Sequence, residues 1–388
     1  MKRSRRWVVG SLLAPLVVCG GVSLISAASN IGLPRESAVV EQLSEMESAR
    51  LEEAFHLRQS LGDAAWPGWG GADIPAIVYN ERYAFLVGLH DPEPGWVKVP
   101  QGSARGGPWE VVPHDRFKGE PYNRQLLPSD VTPEAFTVKV GDRWVSSLTT
   151  KEWMQVMLAQ QLREDLPAFL RPIFPYRLAT SLFIDSSDFY ISSLLHESFH
   201  AYQGIIAPDK LAAAEDAVRR SEAHYPWEDR SLRDAWQIEL DLLARALRAD
   251  TPAETAALTR EFLANREQRR ETLTSDLIAY ERHREWQEGL ARYVELEIWR
   301  QAATSADYEP APAVQHDRDF KGYRTFERRW SREVDQIRRM AGNRGDGRFY
   351  YSGMAQAVLL DRLAPGWKNE AFDDGIWLDD LLVGALVQ

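Results

Sequence analysis

His196 and His200 stand four residues apart in "LLHESFHAYQ", with Glu197 directly after the first. On a helix, positions i and i+4 lie one above the other, so both imidazoles can aim at one point off a single face and clamp a metal ion. Glu197 is rotated by about 100° from His196, which leaves its carboxylate beside the ion and within reach of a water molecule there. The chemistry in view is hydrolysis. Zinc held by three protein ligands keeps a fourth position for water, whose pKa falls to about 7. Glu197 can take a proton from that water as general base and hand it to a leaving amine as general acid.

The five-residue pattern arises by chance in about one chain in a hundred of this length, so alone it does not separate a metal site from two histidines on an amphipathic helix. A third ligand is needed. The stretch "YERHREWQEGLARYVELEIWR" reads as another helix, with Glu281, Glu285, Glu288 and Glu295 on broadly one face; most such carboxylates face solvent. Glu288 is the choice, because Gly289 follows it and a missing side chain permits the close helix approach a shared ion requires. His56, His90, His114, His224, His283 and His316 lack ligand spacing. His283, five residues before Glu288, is off the ligand face and reads as a surface residue.

His196-Glu197-x-x-His200 together with "EGLARYVE" resembles the gluzincin metallopeptidases, nearest to their aminopeptidase branch, where a Glu-Gly-x-x-x-Tyr-x-Glu segment supplies the third ligand. The resemblance makes Glu288 the zinc ligand and Glu295 a supporting acid. Downstream, "FYYSGMAQAVLLDRL" resembles that branch's Tyr-x-x-Gly segment, whose tyrosine stabilises the tetrahedral oxyanion. Tyr350 takes that place and Tyr351 is the alternative; without the resemblance both read as packing at a helix start. Two features depart from the branch. Between His200 and Glu288 lie 87 residues, which inserts two extra helices, and no Gly-x-Met-Glu-Asn motif precedes His196, so aminopeptidase specificity is not implied. What the resemblance implies is a zinc-dependent peptidase with one zinc per chain and a peptide or protein substrate.

The elements that must position these residues fall into two parts. "ESAVVEQLSEMESARLEEAFHLRQSL" (36–61) predicts an amphipathic helix packed on the body of the protein. "IPAIVYNERYAFLV" predicts a hairpin turning at Asn80-Glu81-Arg82, and "FTVKVGDRWVSSL" a second one turning at Gly141-Asp142. After Thr149 the pattern is helical, opened by a Thr149/Glu152 capping box. "RLATSLFI" reads as a short strand whose edge could pair with an extended peptide, and Asp185-Ser186-Ser187-Asp188 offers N-caps to the helix carrying the two histidines. Thr251-Pro252 starts a long helical stretch that must break near Arg269 to Ser275. The fold class is α+β: a β-rich unit with its leading helix over 29–148, then a mainly helical, zincin-like catalytic unit over 149–388.

"MKRSRRWVVGSLLAPLVVCGGVSLISAASN" has the cations, apolar run and small residues of an export signal over 1–28, which places the protein in the periplasm or outside the cell. Trp7 to Ala28 is also long enough to span a bilayer, so an uncleaved anchor is the alternative. Cys19 is the only cysteine, and losing the leader removes it, leaving no disulfide, thiolate ligand or cysteine nucleophile. Losing the leader's four cations also takes the formal charge from −11 to −15. Such acidity argues against a nucleic-acid partner and, beyond a possible anchor, an anionic membrane surface. The oligomeric state is left open. The competing functional reading is a non-catalytic zincin-like envelope protein that binds a partner through the "WPGW" and "PGW" aromatics.

Overall fold

The computed structural model describes residues 30–99, 102, 105–128, 138–184 and 186–387; the leader, Cys19 and Asp185 lie outside them. The first helix, α1 (Glu45–Ala65), starts later than its apolar spacing predicts, because Ser44 caps it by accepting the Glu47 N–H at 3.2 Å. Residues 36–44 lie along the sheet instead: Asn80 donates to the Val40 carbonyl, and the Leu43 N–H donates to the Tyr122 hydroxyl. The charges of α1 do not all face water. Arg50 is buried between Glu47 (2.8 Å) and Asp317 (2.7 Å), and Glu53 accepts from the Tyr308 and Tyr323 hydroxyls.

Seven strands come next: β1 (Ala76–Tyr79), β2 (Tyr83–Val87), β3 (Val97–Lys98), β4 (Glu110–Val111), β5 (Asn123–Leu126), β6 (Val138–Val140) and β7 (Arg143–Thr149). Their order across the sheet is β3-β6-β7-β1-β2-β5-β4, antiparallel throughout except for β1 beside β7. Both predicted hairpins are present, and Asn80 closes the first by accepting the N–H groups of Arg82 and Tyr83. Alternation divides β1 as the pleat requires. Ala76 and Val78 join the main core, whereas Ile77 and Tyr79 join a smaller cluster with Trp96 and Val145 on the other face.

The remainder is helical: α2 (Lys151–Asp165), α3 (Tyr176–Phe183), α4 (Ser187–Ile206), α5 (Pro208–Ser221), α6 (Arg230–Arg248), α7 (Pro252–Arg270), α8 (Ser275–Arg284), a π-helical turn (Glu285–Gly289), α9 (Leu290–Thr304), α10 (Phe326–Ile337), α11 (Gly347–Leu363) and α12 (Leu378–Val387). Ser186 and Thr251 cap α4 and α7, and the long stretch breaks after Arg270 as expected. Two expectations are corrected. Thr150, not Thr149, caps α2; the Thr149 hydroxyl donates to the Tyr79 carbonyl, and Glu152 accepts the Ala38 N–H. "RLATSLFI" is helical rather than extended, so it offers no strand edge to a peptide. A short apolar run does not distinguish strand from helix, and here helical spacing buries Tyr176, Ala179 and Thr180 while exposing Arg177, Leu178 and Ser181.

The architecture is α+β, with the strands gathered between Ala76 and Thr149 and helices after them. One hydrophobic cluster joins α1, the sheet, α4, α9 and α11. Trp66, Trp69 and Trp96 are all buried, so the aromatics suggested for partner binding serve as core. Among the described residues no helix is long and apolar enough to cross a membrane.

Candidate metal centre

Helix α4 runs through the middle of the molecule, packed against β7, α1 and α9. Its histidines therefore cannot rely on bulk water: His196 is 7% exposed and His200 5%. Each must find polar partners or stay costly. The two Nε2 atoms lie 3.1 Å apart. Glu288 Oε2 completes a triangle, 3.5 Å from His196 Nε2 and 3.3 Å from His200 Nε2. A tetrahedral ion with bonds of about 2.0–2.1 Å separates its ligand atoms by about 3.3–3.4 Å, so the triangle has the right size. Glu288 Oε2 is buried without a hydrogen-bond partner, as is Glu197 Oε2 beside it. Among the described residues, this triad is the one cluster of histidine, cysteine and carboxylate groups close enough to share a cation.

Hydrogen bonds set the orientation of both rings. His200 Nδ1 lies 2.8 Å from Gln203 Oε1 and donates to it, which fixes the tautomer and frees the Nε2 lone pair for the triad. Gln203 in turn donates to the carbonyls of Trp286 (3.0 Å) and Gln287 (3.2 Å). His196 Nδ1 faces Glu295 Oε2 at 3.5 Å, and Glu295 is held by Ser192, Arg292 and Arg329. Burial pushes the His196 imidazole down, yet Glu288 and Glu295 outweigh it and lift its pKa to about 10. Burial pushes Glu288 up, but Arg284 and His200 overcome that and hold its pKa well below the carboxylate range. A pocket that stabilises a proton so strongly has the charge to hold a metal cation in its place.

The π-helical turn decides which carboxylates reach this pocket. One extra residue in a turn rotates the helix before it by about 100° relative to the helix after it. Glu288 and Glu295 thus face α4, whereas Glu281 and Glu285 point to α7 and pair with Arg269, Arg270 and Arg266. The four acids do not share a face, and none faces solvent: all are 6% exposed or less. Gly289 does permit a close approach, but to α11 rather than to the histidine helix. A Cβ on Gly289 would lie 2.5 Å from the Gly353 Cα. That contact brings Tyr350 of α11 over His196, with ring centroids 5.6 Å apart and planes 4° from parallel. Tyr351 points elsewhere, toward Arg292 and Glu333. His283 is not a surface residue: it is half-buried against Trp377, and burial, with Lys210 and Arg220, lowers its pKa to about 4.

A cavity of about 220 Å³ opens on the triad, bounded by Glu197, His200, Glu288 and Tyr350 and farther out by Leu211, Glu215 and Val99. Burial raises the pKa of Glu197 against the pull of His200 and His196, which poises it toward general-base work. The residues that sequence reasoning missed are Gln203, Arg284 and Asp346. Gln203 and Arg284 carry a spacing signal, three residues after His200 and four before Glu288. Asp346 carries none; it sits in the exposed-looking "GNRGDGR" turn, yet its carboxylate pairs with Arg284 Nη2 at 2.6 Å. Arg284 spends its other Nη2 contact on Glu288 Oε1 at 3.0 Å.

Asp346→Asn should therefore release Arg284 to pull harder on Glu288. Zinc affinity is expected to weaken about 10-fold, as for other partners of metal ligands, measured by competition with a chromophoric chelator. An unchanged affinity would mean that Arg284 does not compete with the cation for Glu288.

No protein-family model, curated protein or solved structure matches this chain.

Proposed function

We propose that the chain is a zinc-dependent peptidase of gluzincin type, with a zincin-like arrangement of α4 and α9. One observation carries the reading: two histidine Nε2 atoms and an unpartnered buried carboxylate oxygen converge within 3.1–3.5 Å at the floor of an open cavity. His196, His200 and Glu288 are the ligand set. A bound divalent cation supplies a polarised water and positive charge for a developing oxyanion. The chain's own residues do the rest. Glu197 accepts the proton of the attacking water and returns it to the departing amine. Tyr350, whose pKa burial and Glu288 push far up, keeps its hydroxyl proton and donates a hydrogen bond to the oxyanion. Glu295 holds the His196 ring.

The deciding experiment measures metal content and peptide-pool cleavage on the same purified protein. One zinc per chain is expected, absent from His200→Ala, with cleavage lost on chelation and restored by zinc. Because His196 must shed its proton to bind the cation, zinc affinity is expected to fall as pH falls. A chain that takes up no zinc near neutral pH sinks the reading.

A further inference from the structure

The N-terminal end of the folded body is pinned at one place. The Asn30 amide donates to the carbonyls of Pro172 (3.2 Å) and Phe174 (2.8 Å), and Arg177 Nη2 donates to the Gly32 carbonyl at 3.3 Å. Ile31 is thereby held beside the stretch from Pro172 to Arg177. Four of the side chains that reach solvent there are large and apolar: Ile31 is 80% exposed, Phe169 76%, Leu178 60% and Ile173 38%. A single exposed apolar residue, such as Ile238 on α6, needs no explanation; four gathered about one chain end do.

Only Ser29 separates Asn30 from Ala28, where the apolar run that begins at Trp7 ends. Two residues of fully extended chain reach about 7 Å, and the headgroup layer on each side of the hydrocarbon is about 5–7 Å deep. With that run in a bilayer, this face has no room to stand clear of the headgroups. Arg171 and Arg177 are exposed within the same part of the chain, where positive charge meets lipid phosphates while the apolar side chains enter the acyl boundary; both also donate to backbone carbonyls, Arg171 to Leu166 and Glu164 and Arg177 to Gly32. The cavity over the triad takes no lining residue from this stretch.

We propose that the leader is retained as an anchor and that the face formed by Ile31, Phe169, Ile173 and Leu178 seats in the headgroup layer of that same membrane. The protein is then held at the membrane at a fixed orientation. This inference rests on the leader and the patch, and stands or falls separately from the metal.

Full-length protein carrying Cys19→Ser and Leu178→Cys, labelled with an environment-sensitive nitrobenzoxadiazole dye, is reconstituted into phosphatidylcholine–phosphatidylglycerol vesicles. Ile238→Cys is the control position. A blue-shifted emission and several-fold stronger quenching by headgroup-nitroxide lipid at position 178 than at 238 is expected, together with an intact mass that includes the leader. Adding Phe169→Glu and Ile173→Glu should bring the quenching at 178 down to the control level. A dye as wet at 178 as at 238 overturns the proposal. So does a dye that is shielded yet unquenched, which means a second protein copy covers the face, and so does a mature mass beginning after Ala28.

Discussion

Glu197→Gln is expected to lower kcat for peptide hydrolysis by roughly 10²–10⁴-fold while zinc content stays at one ion per chain. The two halves of that result have separate causes. Glu197 is not a ligand: the converging atoms belong to His196, His200 and Glu288, and an amide at position 197 has the shape of the carboxylate it replaces. Metal binding should therefore survive. What disappears is an uncommitted basic oxygen beside the triad, Glu197 Oε2, which is buried with no hydrogen-bond partner, on a residue of the cavity wall. Burial raises this carboxyl's pKa above its ordinary value against the pull of His200 and His196. Single-turnover cleavage alongside metal analysis separates the outcomes. Wild-type rates in the variant would require another base, and loss of metal would mean that Glu197 supports the ligands instead.

The histidine pair was legible because its signal is local: four residues of one helix fix where two rings point, whatever surrounds them. That Glu288 lies beside the pair was also legible, although what brings it there is not what its neighbour suggested. Gly289 admits the backbone of α11 at Gly353, a contact between segments 64 residues apart that no local pattern encodes. The π-helical turn was equally hidden. It has no composition signature in "EWQEG", yet it rotates Glu281 and Glu285 off the ligand face and into an ionic core. The helix that reads as a strand, Tyr176–Phe183, fails for a different reason: a run of eight residues with few charges is too short for its pattern to separate helix from strand. Asp346 stood in a turn that read as plain solvent-exposed chain, and its role depends on Arg284 arriving from another helix.

The same rotation creates the second large effect, on stability. Arg266, Arg269 and Arg270 of α7 meet Glu239, Glu281, Glu285 and Asp379 in a cluster whose members are all 8% exposed or less. Arg269 lies at its centre, bonded to Glu239 and, at 2.5 Å, to Glu281, with its guanidinium 4.0 Å over the Trp236 ring. Arg269→Met keeps much of the volume but removes the cation, leaving two buried carboxylates short of charge; breaking such a cluster costs about 3–5 kcal/mol. The urea midpoint at pH 7 should fall accordingly. Burial works to raise the Glu281 pKa, but Arg269 and Arg270 bring it down to about 2, below its ordinary value. A lowered carboxylate pKa contributes stability above the unfolded-state value and loses it as pH drops through the folded one. The gap between variant and wild type should thus narrow from pH 5 toward pH 2. Adding Glu281→Gln to Arg269→Met should recover part of the loss, since it removes a charge that has lost its partner. Equal deficits at pH 7 and pH 3, with no recovery in the double variant, would make the loss one of packing over Trp236 rather than of charge.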